Sequence, residues 1–383
     1  MYKLIKDYFL VIFLSTIFSI YLFEIFLNIQ INKHTNIELK KKLLLKNNNQ
    51  IFDTRTQSEY YYFIKKKNNN LNVSISCYPF DFLKDNSKLQ PLSGVSSSLT
   101  INCNENGYFN TYISDRYGFN NPDDEWGSDE IEYLLVGDSF THGACVNRPD
   151  DIASILRKLS TKNVLNLGYG SNGPLLEYVT LREYIKPNVK KILWMYFEGN
   201  DQADLNIEIN NKLLNNYLIN ENYTQNLISR QSEIDELVKD KFPKILDYRN
   251  EMIEKDNLKY KILKFIRLDK TKKKFRNKKN KFQKDKFLDI IKKADTLAKK
   301  NNSEFYFVYL PSYSRYDKIL RINDYKNYKF IKNSINNLNI PFIDLHKNIF
   351  YEDPKSLFPF GLSGHYNKKG YQDVAKYIFE FTK

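Results

Sequence analysis

From Ile131 onward, five short apolar runs recur: "IEYLLVG" (131–137), "NVLNL" (163–167), "KKILWMYF" (190–197), "EFYFVYL" (304–310) and "IPFIDL" (340–345). Amphipathic stretches lie between them, among them "DIASILRKLS", "GPLLEYVTLREYIK" and "KFLDIIKKADTLAKK". Strands this apolar are buried on both faces, and the stretches between them are long enough to be crossover helices. That alternation dictates an α/β fold, a parallel sheet with helices on both faces. One interval is too long for a single crossover. Between Asp204 and about Asp285 the pattern is Leu-, Ile- and Lys-rich and helical, which marks an insertion (about 204–285) ending in the basic run "DKTKKKFRNKKNKFQKDK". A solvated face is the first reading of that run, and contact with phosphates or anionic lipid head groups is the other.

The N-terminus imposes a second constraint. Tyr8 to Ile29 carries one charge, Glu24, and as a helix it reaches about 33 Å, enough to span a bilayer core. No small-x-small cleavage site follows it, so residues 1–34 read as an uncleaved transmembrane anchor. Lys3 and Lys6 precede the run, while Lys33, Lys40, Lys41, Lys42 and Lys46 follow it, so flanking charge does not orient it. Residues 35–129 read as a polar tether followed by a small β-rich segment, with "EYYYFIKKK", "NVSISCYPFDF" and "GYFNTYISDRYGFNNPDD" as short strands and turns. The α/β domain takes 130–383.

The chain has 383 residues and 59 Lys and Arg against 45 Asp and Glu, a formal charge of +14. Lys greatly outnumbers Arg, and Asn accompanies it throughout, so the excess reflects composition and does not by itself call for nucleic acid as a partner. Three cysteines, Cys77, Cys103 and Cys145, have no metal-binding spacing. Cys77 and Cys103 flank one segment and could pair in an oxidising compartment, leaving Cys145 free. Three buried thiols is the equal alternative.

In open parallel sheets, ligands gather at the carboxyl ends of the strands. The first strand delivers Gly137, Asp138 and Ser139, with the serine at the start of a helix, where free N–H groups can stabilise an oxyanion. The second delivers "NLGYGSNGP", whose glycines 168, 170 and 173 let backbone approach a ligand. The third delivers Gly199 and Asn200, an uncharged amide donor. His365 stands in "GLSGHYNKKGY" before the last helix. Each piece alone has a bland reading as cap, turn or structural histidine. Together they supply nucleophile, base and preorganised dipoles, the inventory of acyl transfer.

These four blocks resemble, in order and spacing, those of the SGNH, or GDSL-type, hydrolases over roughly 130–383. The resemblance implies a flavodoxin-like three-layer α/β/α sandwich with a five-stranded parallel sheet, a serine esterase or O-acyltransferase activity, and no metal or organic cofactor. It differs from the α/β-hydrolase elbow, because Thr141 stands two after Ser139 where that motif has glycine. By the resemblance, Ser139 is the nucleophile and His365 the base, and the oxyanion hole comprises the Ser139 N–H, Gly170 and Asn200. Gly170 is taken because Ser171 occupies the usual glycine position. Asp138 is a structural support. The family's aspartate before the histidine is replaced by Leu362 and Ser363, so a Ser-His dyad, or an orienting acid from Glu352 or Asp353, is expected. His142 is an alternative base, or shapes the pocket. The segment "DRYGFNNPDDEW" resembles what precedes this fold in membrane-anchored relatives that modify cell-surface polysaccharide. It implies a single-pass anchor, a domain on the periplasmic side and an acylated glycan substrate. A module that kept the fold and lost the chemistry is the competing reading, favoured by the missing acid and the insertion.

Overall fold

The apolar N-terminal run forms helix α1 (Tyr2–Thr35), within which Ile5–Ile29 is long and apolar enough to cross a membrane. This computed structural model describes residues 2–35, 41, 43–45, 52–67, 71–83, 89–254, 258–276, 282–317 and 324–383. Most of the expected tether, and residues 277–281 of the basic run, lie outside the described residues. Next come helix α2 (Gln57–Lys67) and a small sheet of β1 (Val73–Ile75), β2 (Leu99–Ile101) and β3 (Thr111–Ile113), in which β1 and β2 run parallel and β2 and β3 antiparallel. Helix α2 replaces the strand expected for "EYYYFIKKK". Ser58 and Tyr61 face inward, three apart, and Lys65, Lys66 and Lys67 fall in the last turn, where cations favour the helix dipole.

The main sheet has five parallel strands, β4 (Ile131–Gly137), β5 (Val164–Asn166), β6 (Val189–Phe197), β7 (Glu304–Leu310) and β8 (Phe342–Asp344), in the order β5-β4-β6-β7-β8. This is the flavodoxin-type order, with its switch point between β4 and β6. Strand side chains alternate faces. Leu134, Val136, Trp194 and Phe307 enter one core with Leu176 and Val179 of α5 (Pro174–Tyr184) and Ile290 and Ala294 of α11 (Lys284–Lys300). Tyr133, Leu135, Met195 and Val308 enter the other with Ile152 and Leu156 of α4 (Ile152–Ser160) and Val374 and Ile378 of α14 (Lys368–Phe381). Helices therefore cover both faces. Helices α3 (Ser139–His142), α12 (Asp324–Asn337) and α13 (Leu345–Asn348) complete the layers.

The interval after β6 is helical: α6 (Asp201–Glu208), α7 (Lys212–Ile219), α8 (Gln231–Glu254), α9 (Leu258–Ile266) and α10 (Asp269–Arg276) precede α11. Its first half is welded to the rest. Glu183, buried on α5, accepts hydrogen bonds from the N–H groups of Gln225 (2.8 Å) and Leu227 (3.0 Å) and from the Thr224 hydroxyl (2.8 Å). Helix α8 packs on α2 and on the loop before β2: Asp235 accepts from the Ser96 N–H at 2.9 Å and the Phe242 ring lies 5.5 Å from that of Tyr61.

Candidate active site

Strand β4 ends at Gly137, and nothing larger fits there. A Cβ would stand 2.1 Å from Thr141 Oγ1 and 2.8 Å from the Met195 carbonyl. The chain then turns sharply into α3, whose first residue is Ser139. Asp138 caps that helix, accepting from the Phe140 N–H at 2.9 Å, and is fully buried. Burial lifts its carboxyl to about 7 although the Phe140 N–H favours the charged form. Asp138 is thus a support for the turn. The loop after β5 lies directly on α3, since a Cβ on Gly168 would meet Thr141 Cβ at 2.5 Å.

His365, in the loop before α14, accepts from the Ser139 hydroxyl through Nε2 at 2.8 Å. Its Nδ1 faces Glu105 Oε1 at 3.1 Å, and its backbone N–H donates to Glu105 Oε2 at 2.6 Å. The carboxylate fixes the tautomer, with the proton on Nδ1 and Nε2 open to the serine. Burial works against the charge on Glu105, but the facing imidazole outweighs it and, with Lys41, holds the carboxyl down at about 2. Burial likewise works against charge on His365, and Glu105 outweighs it, so the imidazole sits above its ordinary value.

The carboxylate that meets His365 is therefore Glu105, and the expectation of Glu352 or Asp353 at that position is corrected. Those two residues are exposed and line a different surface hollow with Asn348, Lys369 and Asp373. Glu105 arrives from the loop between β2 and β3, 260 residues from its partner. A disulfide holds it there: Cys103 is bonded to Cys145, not to Cys77, which is buried and free. Cys103 and Cys145 bracket the two halves of the site, two residues before Glu105 and six after Ser139. Asn110 reinforces the bridge, its side-chain oxygen accepting from the N–H groups of both cysteines at 3.2 Å.

Asn200 and Gly170 follow β6 and β5, the strands flanking β4, so they stand on either side of Ser139 at one sheet edge. One N–H of the Asn200 amide goes to Asp204 at 2.6 Å, which leaves the other for a ligand. Among the described residues, no hydrogen bond takes up the N–H of Ser139 or of Gly170. A Cβ on Gly170 would stand 2.4 Å from the Tyr78 ring. His142 is buried between the rings of Tyr112 and Tyr169, and its Nδ1 lies 3.1 Å from the Gly168 carbonyl. Burial pushes it down to about 4. It is a neutral packing residue and does not face Ser139 as a base. The "DRYGFNNPDDEW" segment is a brace: Asp115 accepts from the Trp126 indole at 2.7 Å, and Asn120 donates to the His142 carbonyl at 2.9 Å.

No family model and no curated protein matches this chain. Solved structures do. A lipolytic protein of the G-D-S-L family from Desulfitobacterium hafniense DCB-2 is 15% identical, with 66% of this chain and 99% of that one covered and a TM-score of 0.38. A G-D-S-L family member from Veillonella parvula DSM 2008 is 14% identical, covering 65% and 97%, with a TM-score of 0.37. An acetylxylan esterase from Geobacillus stearothermophilus is 11% identical, covering 66% and 94%, with a TM-score of 0.34. The arrangement of this chain's own residues is chemically complete for attack by a hydroxyl: an oriented base in contact with it, an acid behind the base and free N–H groups beside it.

Proposed function

We propose that this chain is a membrane-anchored serine esterase or O-acyltransferase that acts on acyl esters, acetyl esters of cell-surface glycans being the intended class. The observation that carries the reading is the continuous relay from Ser139 through His365 to Glu105. His365 Nε2 takes the hydroxyl proton as Ser139 Oγ attacks the ester carbonyl. The N–H groups of Ser139 and Gly170 and the Asn200 amide stabilise the oxyanion. Collapse expels the alcohol, which takes the proton from His365. Water, or an acceptor hydroxyl in the transferase case, then releases the acyl group by the same steps in reverse order.

The competing reading, a fold that has lost its chemistry, drew its support from the insertion and from a histidine without an acid, and Glu105 supplies the acid. The disulfide supports an oxidising, extracytoplasmic location for the domain, and the length and apolarity of α1 support a single-pass anchor; together they support an N-terminus inside. The test is hydrolysis of an aryl acetate by the detergent-solubilised full chain. Ser139→Ala and His365→Ala are each expected to lose at least about 10³ in kcat. Undiminished turnover in the Ser139 variant would overturn the assignment. Adding an acetylated glycan and an acceptor, and asking whether free acetate or a newly acetylated glycan accumulates, separates hydrolase from transferase.

A further inference from the structure

The acid near the C-terminal end of the membrane helix, Glu24, is where the insertion returns to the anchor. Glu24 is fully buried, and its carboxylate accepts from the Thr271 N–H at 2.7 Å, the Lys270 N–H at 3.2 Å and the Thr271 hydroxyl at 2.6 Å. Both donors belong to the first turn of α10, so Glu24 caps that helix from outside. One turn earlier on α1, the Tyr21 hydroxyl donates to the Ile266 carbonyl at 3.1 Å, and its ring lies 5.6 Å from that of Phe265. Phe23 meets Phe275 at 6.3 Å between ring centres. A carboxylate inside hydrocarbon is costly unless bound. Here it is satisfied by the three α10 donors and by the Asn28 amide of its own helix at 3.4 Å, and the α10 donors fix the α9–α10 hairpin to α1.

The level of these contacts is informative. The apolar span ends at Ile29, so Glu24 lies about 7.5 Å inside that end and Tyr21 about 12 Å inside it, at 1.5 Å per residue. Interfacial amphipathic helices bury their apolar faces to about 5–10 Å. The hairpin has the matching chemistry. Residues 258–276 carry nine Lys and Arg against one Asp, while Ile262, Ile266 and Phe275 stand 49%, 56% and 79% exposed.

We propose that the α9–α10 hairpin is a membrane-interface element, docked on α1 through Glu24, which seats Ile262, Ile266 and Phe275 at the acyl boundary and its cations against anionic phospholipid head groups. The proposal rests on the reading of α1 as a membrane span. It gives the buried acid of that span a purpose and ties the catalytic domain to the bilayer at a second point, through α8.

The test uses the full chain carrying Ile262→Cys, labelled with an environment-sensitive fluorophore and reconstituted into nanodiscs of phosphatidylcholine with or without phosphatidylglycerol. In anionic discs the emission is expected to shift to the blue and the label to be shielded from iodide. Both effects should be largely lost in neutral discs and when Lys259, Lys261 and Lys264 are changed to Glu. A label that emits as in water in both lipids, while the chain still co-elutes with the discs, overturns the hairpin proposal and leaves the anchor standing. Equal shielding in both lipids overturns the requirement for anionic head groups. Cross-linking of Ile262→Cys between two chains in one disc would assign the face to a second copy instead. Chains that leave the discs altogether refute the anchor reading, and this proposal with it.

Discussion

Glu105 sets both the orientation and the basicity of His365, so its removal has two separable effects. Protonated His365 cannot accept the serine proton, hence kcat/KM rises with pH along an acid limb, and the raised imidazole places that limb above the ordinary histidine value of about 6.5. Glu105→Gln is expected to lower kcat by up to about 10⁴ and to move the limb to lower pH, because the charge that favours imidazolium is gone. A pH–rate profile reads both. Glu352→Gln and Asp353→Asn should leave the profile unchanged, since neither carboxylate touches the imidazole. Gly168→Ala is expected to cost about 1–3 kcal/mol in chemical denaturation, as the new methyl would stand 2.5 Å from Thr141 Cβ in a packed loop. At this scale Ser139 and His365 were legible because each stands at a fixed place in its block. Glu105 was not, because nothing local marks an acid whose partner is 260 residues away. The one signal available was its neighbour Cys103, and two bridges were open to that thiol. A pairing of Cys103 with Cys77 leaves Glu105 away from the serine, whereas the bridge to Cys145 brings it to the serine's side.

Among elements, two tie points decide whether the sheet edge holds its shape. The Cys103–Cys145 bridge closes a loop of 42 residues and, on the chain-entropy account, contributes about 4 kcal/mol. Cys103→Ser is expected to lower the unfolding free energy by about 2–4 kcal/mol and to depress kcat even in the folded fraction, because the β2–β3 loop that carries Glu105 is released. Denaturant titration and activity at matched folded fraction distinguish the two. The other tie point is the ion pair of Arg315 with Glu198, which joins the loops after β7 and β6. Both side chains are almost wholly buried, and Glu198 also accepts from the Ser312 N–H at 2.8 Å. Arg315→Ala leaves that carboxylate buried without its cation and is expected to cost about 3–5 kcal/mol, read as a fall in Tm. Strands β4 and β7 match their sequence runs residue for residue, because continuous apolar runs have one stable place in such a sheet. Helix α2 was misread because a short aromatic run suits either period, and its packing against Phe109 and against Phe242 of the insertion decides between them.

For the molecule as a whole, the acid comes from the N-terminal segment and the serine and histidine from the α/β domain. A fragment beginning at residue 130 therefore lacks both Glu105 and Cys103. Such a fragment is expected to retain no more than dyad-level activity on an aryl acetate, and kinetics against the full chain would show it. The doubly wound architecture was legible from alternation alone. The seating of the insertion was not, because Glu183, Asp235 and Glu24 hold it through buried or half-buried carboxylates that carry no periodic signature. The disulfide also has a consequence in time. While the chain is still in the reducing interior where it is made, Cys103 and Cys145 are separate thiols and the loop bearing Glu105 is unclamped. On the proposed extracytoplasmic location of the domain, the chain is expected to stay less active until the bridge closes outside the membrane, so esters inside the cell that made it are spared.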